Sequence, residues 1–466
     1  MALRTGLPTA RWRSRLAEIV AGETPSVEQV VDGGLTRPEA LEALDAVARM
    51  AEALLSAGAS AADVTSLALR AAAGAGLRHT QVDINYTAVI ISTAGADRVP
   101  LTSARVVKVR ASDYSRLGAL YELAHEAGDG LPAEEINTRL KRLLSQRRPY
   151  RPWISAAGTV GLAAAVAVTI GGTWAVAVCA AFVTCVLQVV LSALNRRGLP
   201  AFFQQFAGAA IATAFALALL VAGPHLPDWV GRLPPSLVVG SGIVVLLAGL
   251  SLVGSAEDAI SGFYVTAGAR AFETVLLTTG LVLGIAAVLD LGQRAGIGLS
   301  LTFSSGESYP LAVQVAAGAV AAFTWAVSGY AGLRAVLLAG LAGATAVFAA
   351  GVATLLGTGP VAAAGLAALL VGLLAEGTAW RWGVPGLVVS VCGIVPLLPG
   401  LAIYRAIFSI VGGGTSAGLA QLVTAFGTAL ALAAGVTLGE FCSQPLRREF
   451  DRIEQRVRRR SLNRQF

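Results

Sequence analysis

The sequence predicts an α-helical polytopic membrane protein of about ten transmembrane helices, arranged as two five-helix inverted repeats behind an N-terminal soluble α+β domain. Three observations predict it. Only 14% of the 466 residues are charged and 55% are hydrophobic, at a mean hydropathy of +0.69, whereas soluble chains run at about a quarter charged. The charge sits at the ends. Residues 152–442 hold sixteen charged side chains, eight Arg and eight Asp or Glu, and the flanks hold the other 47. Apolar runs near twenty residues recur through the middle, the length that crosses about 30 Å of hydrocarbon. This balance excludes a soluble globular enzyme, a disordered chain, a collagen and a disulfide scaffold.

The elements follow in chain order. Residues 1–35 read as a disordered basic tail, because Arg4, Arg11, Arg13 and Arg15 precede no apolar stretch long enough for a signal peptide. Residues 36–150 form the α+β domain. Pro38 to Ser56 carries Leu41, Leu44, Val47, Ala51, Leu54 and Leu55 at helical spacing, and Ser60 caps a second helix to about Ala73. The period then switches to two: Thr80 to Ile84, Thr87 to Ser92 and Ala104 to Val109 are β-branched and bounded by Asn85, Gly95 and Pro100. Helices over Asp113 to Glu126 and Pro132 to Ser145 complete it.

From residue 152 the apolar runs lie near 153–171, 174–193, 201–222, 237–255, 271–290, 311–330, 334–352, 360–380, 384–408 and 417–441. They define a first repeat over 151–292, a loop over 293–310, a second repeat over 311–443 and a basic tail over 444–466. With alternating spans, Arg147, Arg148, Arg151, Arg196, Arg197, Arg334, Arg381, Arg447 and Arg448 share one side, and Arg232, Arg294 and Arg405 fall opposite. The positive-inside rule then makes both termini cytoplasmic in a plasma (inner) membrane protein. Cys179, Cys185, Cys392 and Cys442 lack metal-site spacing and read as small packing residues.

Two stretches repeat. Gly242 begins GIVVLLAGL and Gly393 begins GIVPLLPGL, alike at seven of nine positions. Ala267-Gly268 with Thr274 and Thr278 is echoed by Ala417-Gly418 with Thr424 and Thr428. Five spans per copy, an odd number, insert the copies in opposite senses, an arrangement in which secondary transporters place their site at the repeat interface on interrupted helices. Pro396, Pro399 and Gly400 interrupt the second copy. Proline frees backbone carbonyls, so this segment is either a packing kink or an unwound stretch that touches substrate.

The stretch Gly242 to Leu277 (GIVVLLAGLSLVGSAEDAISGFYVTAGARAFETVLL) resembles the threonine/serine exporter (ThrE) family of bacterial membrane proteins. LPGLAIYR at Leu398 to Arg405, RRGLPAFFQ at Arg196 to Gln204 and VDI at Val82 to Ile84 carry the same resemblance, which runs from about residue 38 to 442. It implies export of L-threonine and L-serine by proton antiport, driven by the proton motive force. Related split transporters carry dicarboxylates, which keeps a succinate-like substrate as the alternative. A membrane-anchored enzyme or regulator acting through residues 36–148 is a further alternative.

Export of a zwitterionic hydroxy amino acid requires a cation or helix N-terminus for the carboxylate, an acidic or carbonyl partner for the ammonium, a partner for the hydroxyl and a protonatable group. Charges inside apolar spans cost about 2.5–3.5 kcal/mol on insertion scales, so they tend to be functional. Adjacent Glu257 and Asp258 compete for one proton, which suits a coupling site; otherwise they belong to a solvated loop. Arg270 and Glu273, three apart on one helix face, either pair structurally or divide the work, Arg270 on the substrate carboxylate and Glu273 or Asp258 on the proton. On that reading Asp258→Asn abolishes efflux at normal expression. Tyr404 and Arg405 follow the broken segment, Arg405 as a substrate ligand or an interface anchor. Thr266 and Thr274 offer hydroxyls to substrate or bond their own backbone, and Gln204 lines the path or bonds across helices. His79 beside Asp83 reads as a surface or packing residue rather than a catalytic one. The expected partners are the amino acid, protons and the bilayer, with a homo-oligomer open and nucleic acid excluded. No cofactor, metal or enzymatic activity is expected, and without a Walker motif ATP does not drive transport.

Overall fold

The computed structural model describes residues 35–77, 79–94, 99–107, 113–227, 233–297, 309–411 and 413–462, with side chains left out of the description at Trp380, Val411 and 444–462. The expected tail over 1–35, apart from Leu35, lies outside these residues, as do Arg232 and most of the loop over 293–310.

The N-terminal unit begins with α1 (Arg37–Ala57) and α2 (Ala61–Gly74). A capping box starts α1: the Thr36 backbone N–H and hydroxyl both donate to Glu39, at 2.8 and 2.9 Å, satisfying donors the helix leaves open. Glu39 is held below its ordinary range by those two bonds. Gly58 ends α1 at φ 105°, the left-handed conformation that glycine tolerates. Ser60 caps α2, accepting from the Asp63 N–H at 3.1 Å. Three antiparallel strands follow in the order β1 (Gln81–Asn85), β2 (Ala88–Ala94), β3 (Pro100–Val106). Val89, Ile91 and Thr93 of β2 face the core in strict alternation. The third strand lies earlier than Ala104 to Val109, because β3 pairs along the whole of β2, from Ala88 opposite Val106 to Ala94 opposite Pro100. Pro100 is the first residue of the strand, a position where a missing N–H is tolerated. Helices α3 (Tyr114–Gly128) and α4 (Ala133–Ser145) close the unit.

Among the described residues, eight helices beyond it are long and apolar enough to cross a membrane, and two bent pairs raise the number to ten if each is one span. The chain is therefore a multi-pass membrane protein. The first half runs α5 (Pro152–Thr169), α6 (Trp174–Arg196), α7 (Ala201–Ala222), the pair α8 (Pro235–Gly242) and α9 (Gly249–Ile260), and α10 (Tyr264–Arg294). The second runs α11 (Leu311–Ser328), α12 (Leu333–Leu355), α13 (Pro360–Trp382), the pair α14 (Gly386–Ile394) and α15 (Gly400–Val411), and α16 (Thr415–Leu462). The last helix continues far beyond the expected end at 441, through the segment read as a basic tail.

The pairs bend by 50° and 44°, so the runs near 237–255 and 384–408 are broken. The second break holds Pro396 and Pro399 in and after a 3₁₀ turn (Val395–Leu397). The first holds no proline; its 3₁₀ turn (Val244–Leu246) leads into extended backbone at Leu247 (φ −72°, ψ 126°). Hydropathy does not register a break of this kind.

Packing relies on small residues, as expected where lipid offers no hydrophobic drive between helices. A β-carbon on Gly158 of α5 would lie 2.7 Å from the Thr324 carbonyl oxygen of α11, and one on Gly280 of α10 would lie 2.8 Å from the Phe202 carbonyl oxygen of α7. Contacts between halves come in reciprocal sets. Helix α5 packs on its counterpart α11, α9 packs on α15, and α9 against α16 is matched by α10 against α15.

Candidate functional site

A cavity of about 480 Å³ lies where the N-terminal unit meets both halves. Liquid water occupies roughly 30 Å³ per molecule, so a small amino acid fits with solvent to spare. The walls from the two halves are faces of helices. Leu250, Val253, Gly254 and Glu257 follow helical spacing on α9, with Ser251 beside them; Arg270 and Glu273 do so on α10. The second half supplies Leu387, Ser390, Val391 and Ile394 from α14, and Ala433, Val436 and Glu440 from α16. The N-terminal unit supplies Gly58 and Ser60 between its first helices, Tyr86 and Thr87 at the β1–β2 turn, Val107, and Tyr114 and Leu117 on α3.

The charges are arranged unevenly. Glu257 and Asp258, adjacent in sequence, part company because neighbours on a helix point about 100° apart. Glu257 faces the cavity. The Asp258 side chain is fully buried and lies 3.0 Å from the Arg270 guanidinium. Its other oxygen accepts from the Ala61 N–H at 3.4 Å, at the first residue of α2, where helix donors are open. Arg270 thus reaches the cavity with its charge already compensated. Glu273 accepts a hydrogen bond from the Tyr86 hydroxyl. Three carboxylates, Glu257, Glu273 and Glu440, line the space against one paired guanidinium.

Glu440 and Leu387 also line a second cavity, of about 500 Å³, with Asp63, Tyr121 and Glu376. Tyr121 donates to Asp63 at 2.8 Å. Burial first, then the Asp63 charge, pushes its phenol well above the ordinary range, so it stays a donor.

The other expected site residues lie elsewhere. Thr266 donates to the Ile84 carbonyl at 3.0 Å, tying α10 to β1. Thr274 bonds the Arg270 carbonyl one turn back at 2.9 Å, and Gln204 bonds the Leu199 carbonyl at 2.7 Å, securing the start of α7. Pro396, Pro399, Gly400, Tyr404 and Arg405 are not among the residues lining the main cavity; Tyr404 is fully buried against Phe408. Of the expected set, Glu257, Arg270 and Glu273 share the cavity, with Asp258 behind Arg270. Glu440, Ser390, Ser251 and Tyr86 were not expected. Glu440 carried a usable signal, a lone carboxylate in the last apolar run. Tyr86 carried none, because only the fold brings it to α10.

A threonine/serine exporter family model matches residues 45–292, and a second, threonine/serine exporter ThrE, matches residues 314–442. A "Probable threonine/serine exporter" of Mycobacterium tuberculosis is 38% identical over 463 residues, 97% of this chain and 85% of that protein. A "Threonine/serine exporter" of Corynebacterium glutamicum is 36% identical over 416 residues, 87% of this chain and 83% of that one. No solved structure matches.

Proposed function

The chain belongs to the threonine/serine exporter family, and from that premise we propose that it exports L-threonine and L-serine from the cytoplasm by proton antiport. The observation that carries the substrate reading is the charge of the main cavity. Glu257, Glu273 and Glu440 outnumber Arg270, which Asp258 already neutralises. Such a space offers acceptors to an ammonium and to protons, and no uncompensated guanidinium to a dicarboxylate. Arg270 remains the cation nearest to hand for the substrate carboxylate, and Ser251, Ser390 and Tyr86 offer partners for the hydroxyl.

Several features support antiport. Protonatable groups share the cavity with the groups that would hold substrate, so proton and ammonium compete for the same carboxylates. The reciprocal contacts between halves support an inverted duplication, whose two packings provide alternating access. The arginine distribution supports cytoplasmic termini, which puts the N-terminal unit over the cytoplasmic end of the cavity.

The test is transport by purified protein in proteoliposomes loaded with L-threonine, L-serine, L-alanine or succinate, with and without a proton gradient. Gradient-dependent efflux of threonine and serine is expected. Succinate efflux would overturn the substrate reading, and amino-acid efflux indifferent to the gradient would overturn the coupling.

A further inference from the structure

A substrate entering from the cytoplasm must pass the N-terminal unit, which closes one side of the cavity with Ser60, Tyr86 and Tyr114. Besides packing on the start of α14, where a β-carbon on Gly118 would lie 3.1 Å from Pro385, that unit is held to the helices by polar contacts of two chemistries. On the side of α11 they are neutral or remote from the cavity. The Tyr114 N–H donates to the Gly329 carbonyl at 2.8 Å, and the Trp325 indole N–H donates to the Tyr114 hydroxyl at 3.0 Å. Arg148 stacks 4.4 Å above the Tyr330 ring.

On the side of α9 and α10 the contacts run through the transport machinery itself. Tyr86 donates to Glu273, and the start of α2 donates to Asp258, the partner of Arg270. The Thr266 hydroxyl, on the same helix as Glu273, holds the Ile84 carbonyl beside the turn. A substrate ammonium competes with Tyr86 for Glu273, and a proton on Asp258 takes away the charge that strengthens its bonds to Ala61 and Arg270.

We propose that the N-terminal unit is the gate of the cavity, hinged at Tyr114 on α11 and latched by Tyr86 on Glu273. Closed, Tyr86 occupies the carboxylate; open, that carboxylate is released to the substrate. The charged groups that share the cavity with the latch are Glu257 from α9, Arg270 from α10 and Glu440 from α16, with Asp258 behind Arg270; Asp63 of α2 lines the second cavity, which Glu440 also borders. The inference rests on the transport reading above and names the part of the molecule that moves.

The test reads opening without reading transport. In the full chain with Cys179, Cys185, Cys392 and Cys442 replaced by serine, Ser251→Cys reports access to the cavity by its rate of labelling with a water-soluble maleimide applied from the side bearing the N-terminus. Tyr86→Phe keeps the ring and removes the donor. It is expected to raise the labelling rate about tenfold, the shift that losing one hydrogen bond to a carboxylate produces. Thr266→Val added to it is expected to raise the rate further. Trp325→Phe, on the hinge side, is expected to leave it within about twofold. Equal labelling in the parent, Tyr86→Phe and the double variant would overturn the gate, as would a rise confined to Trp325→Phe. Threonine efflux by the parent protein, with Ser251 and Tyr86 intact, separates the two readings: faster labelling of the Tyr86→Phe variant beside a parent that does not transport threonine keeps the gate and removes the substrate assignment.

Discussion

Gly249 and Gly400, both buried, touch where the two bent helix pairs meet. A β-carbon on Gly249 would lie 3.0 Å from the Gly400 backbone nitrogen and 3.2 Å from the Leu398 β-carbon, and one on Gly400 would lie 2.9 Å from the Leu247 β-carbon. These are the same positions of the two repeated stretches, GIVVLLAGL and GIVPLLPGL. Each break rests on the other. Gly249→Ala is expected to separate the two backbones at a cost of about 1–3 kcal/mol. A lower melting temperature in detergent together with slower threonine efflux is the expected result, and an unchanged melting temperature would show that the breaks have room to move apart.

Asp258→Asn is expected to lower stability as well as transport, a revision of the loss at normal expression that the sequence suggests. The carboxylate is fully buried against Arg270, and breaking such a pair leaves an uncompensated charge at a cost of about 3–5 kcal/mol. Asp258→Asn with Arg270→Gln removes both charges and is expected to recover much of the folded yield but not efflux. Yield by fluorescence-detected gel filtration and efflux in liposomes check the two halves of this statement separately.

Glu440→Gln keeps the shape of the side chain and removes one of three cavity carboxylates. Hydrogen bonds to charged groups are worth about 1.5–3 kcal/mol, so the threonine concentration giving half-maximal efflux is expected to rise at least about tenfold. If concentration dependence and gradient dependence both match the parent protein, Glu440 has no part in the site.

The N-terminal unit sets an alkaline limit. Burial and then Asp63 raise the Tyr121 phenol, and burial and then Asp113 push the Tyr150 phenol up to about 12. An unfolded tyrosine titrates near 10. Both groups therefore stabilise the fold fully below about pH 10, and that contribution declines as pH rises from there through the folded values. A melting temperature that is flat in its tyrosine contribution to about pH 10 and then falls is expected, with a shallower fall in Tyr121→Phe. Equal slopes in the two proteins would remove Tyr121 from the account.

Much of the architecture was legible because membrane and water impose strong, local rules. Apolar length located the helices, Ser60 marked the start of α2, and alternating apolar residues at Val89 and Ile91 marked a strand. The third strand was displaced because its ends depend on pairing with β2 rather than on its own residues. The break at Val244–Leu246 was missed because it holds no proline and follows from packing against Gly400.

For the site, the sequence by itself determined that Glu257, Arg270 and Glu273 stand on or beside apolar helices, where charges tend to be functional. Only the tertiary structure decided their arrangement. It turned Asp258 away from Glu257 into a buried pair with Arg270, brought Glu440 from 183 residues further along the chain to the cavity lined by Glu257, and carried Tyr86 across to Glu273. The physical reason is range. Hydropathy and helical spacing act between near neighbours, and the sequence states them directly. Ion pairs, hydrogen bonds and cavities form between residues that are distant in the chain, and they exist only once the packing of α9, α10, α14 and α16 has fixed which faces meet.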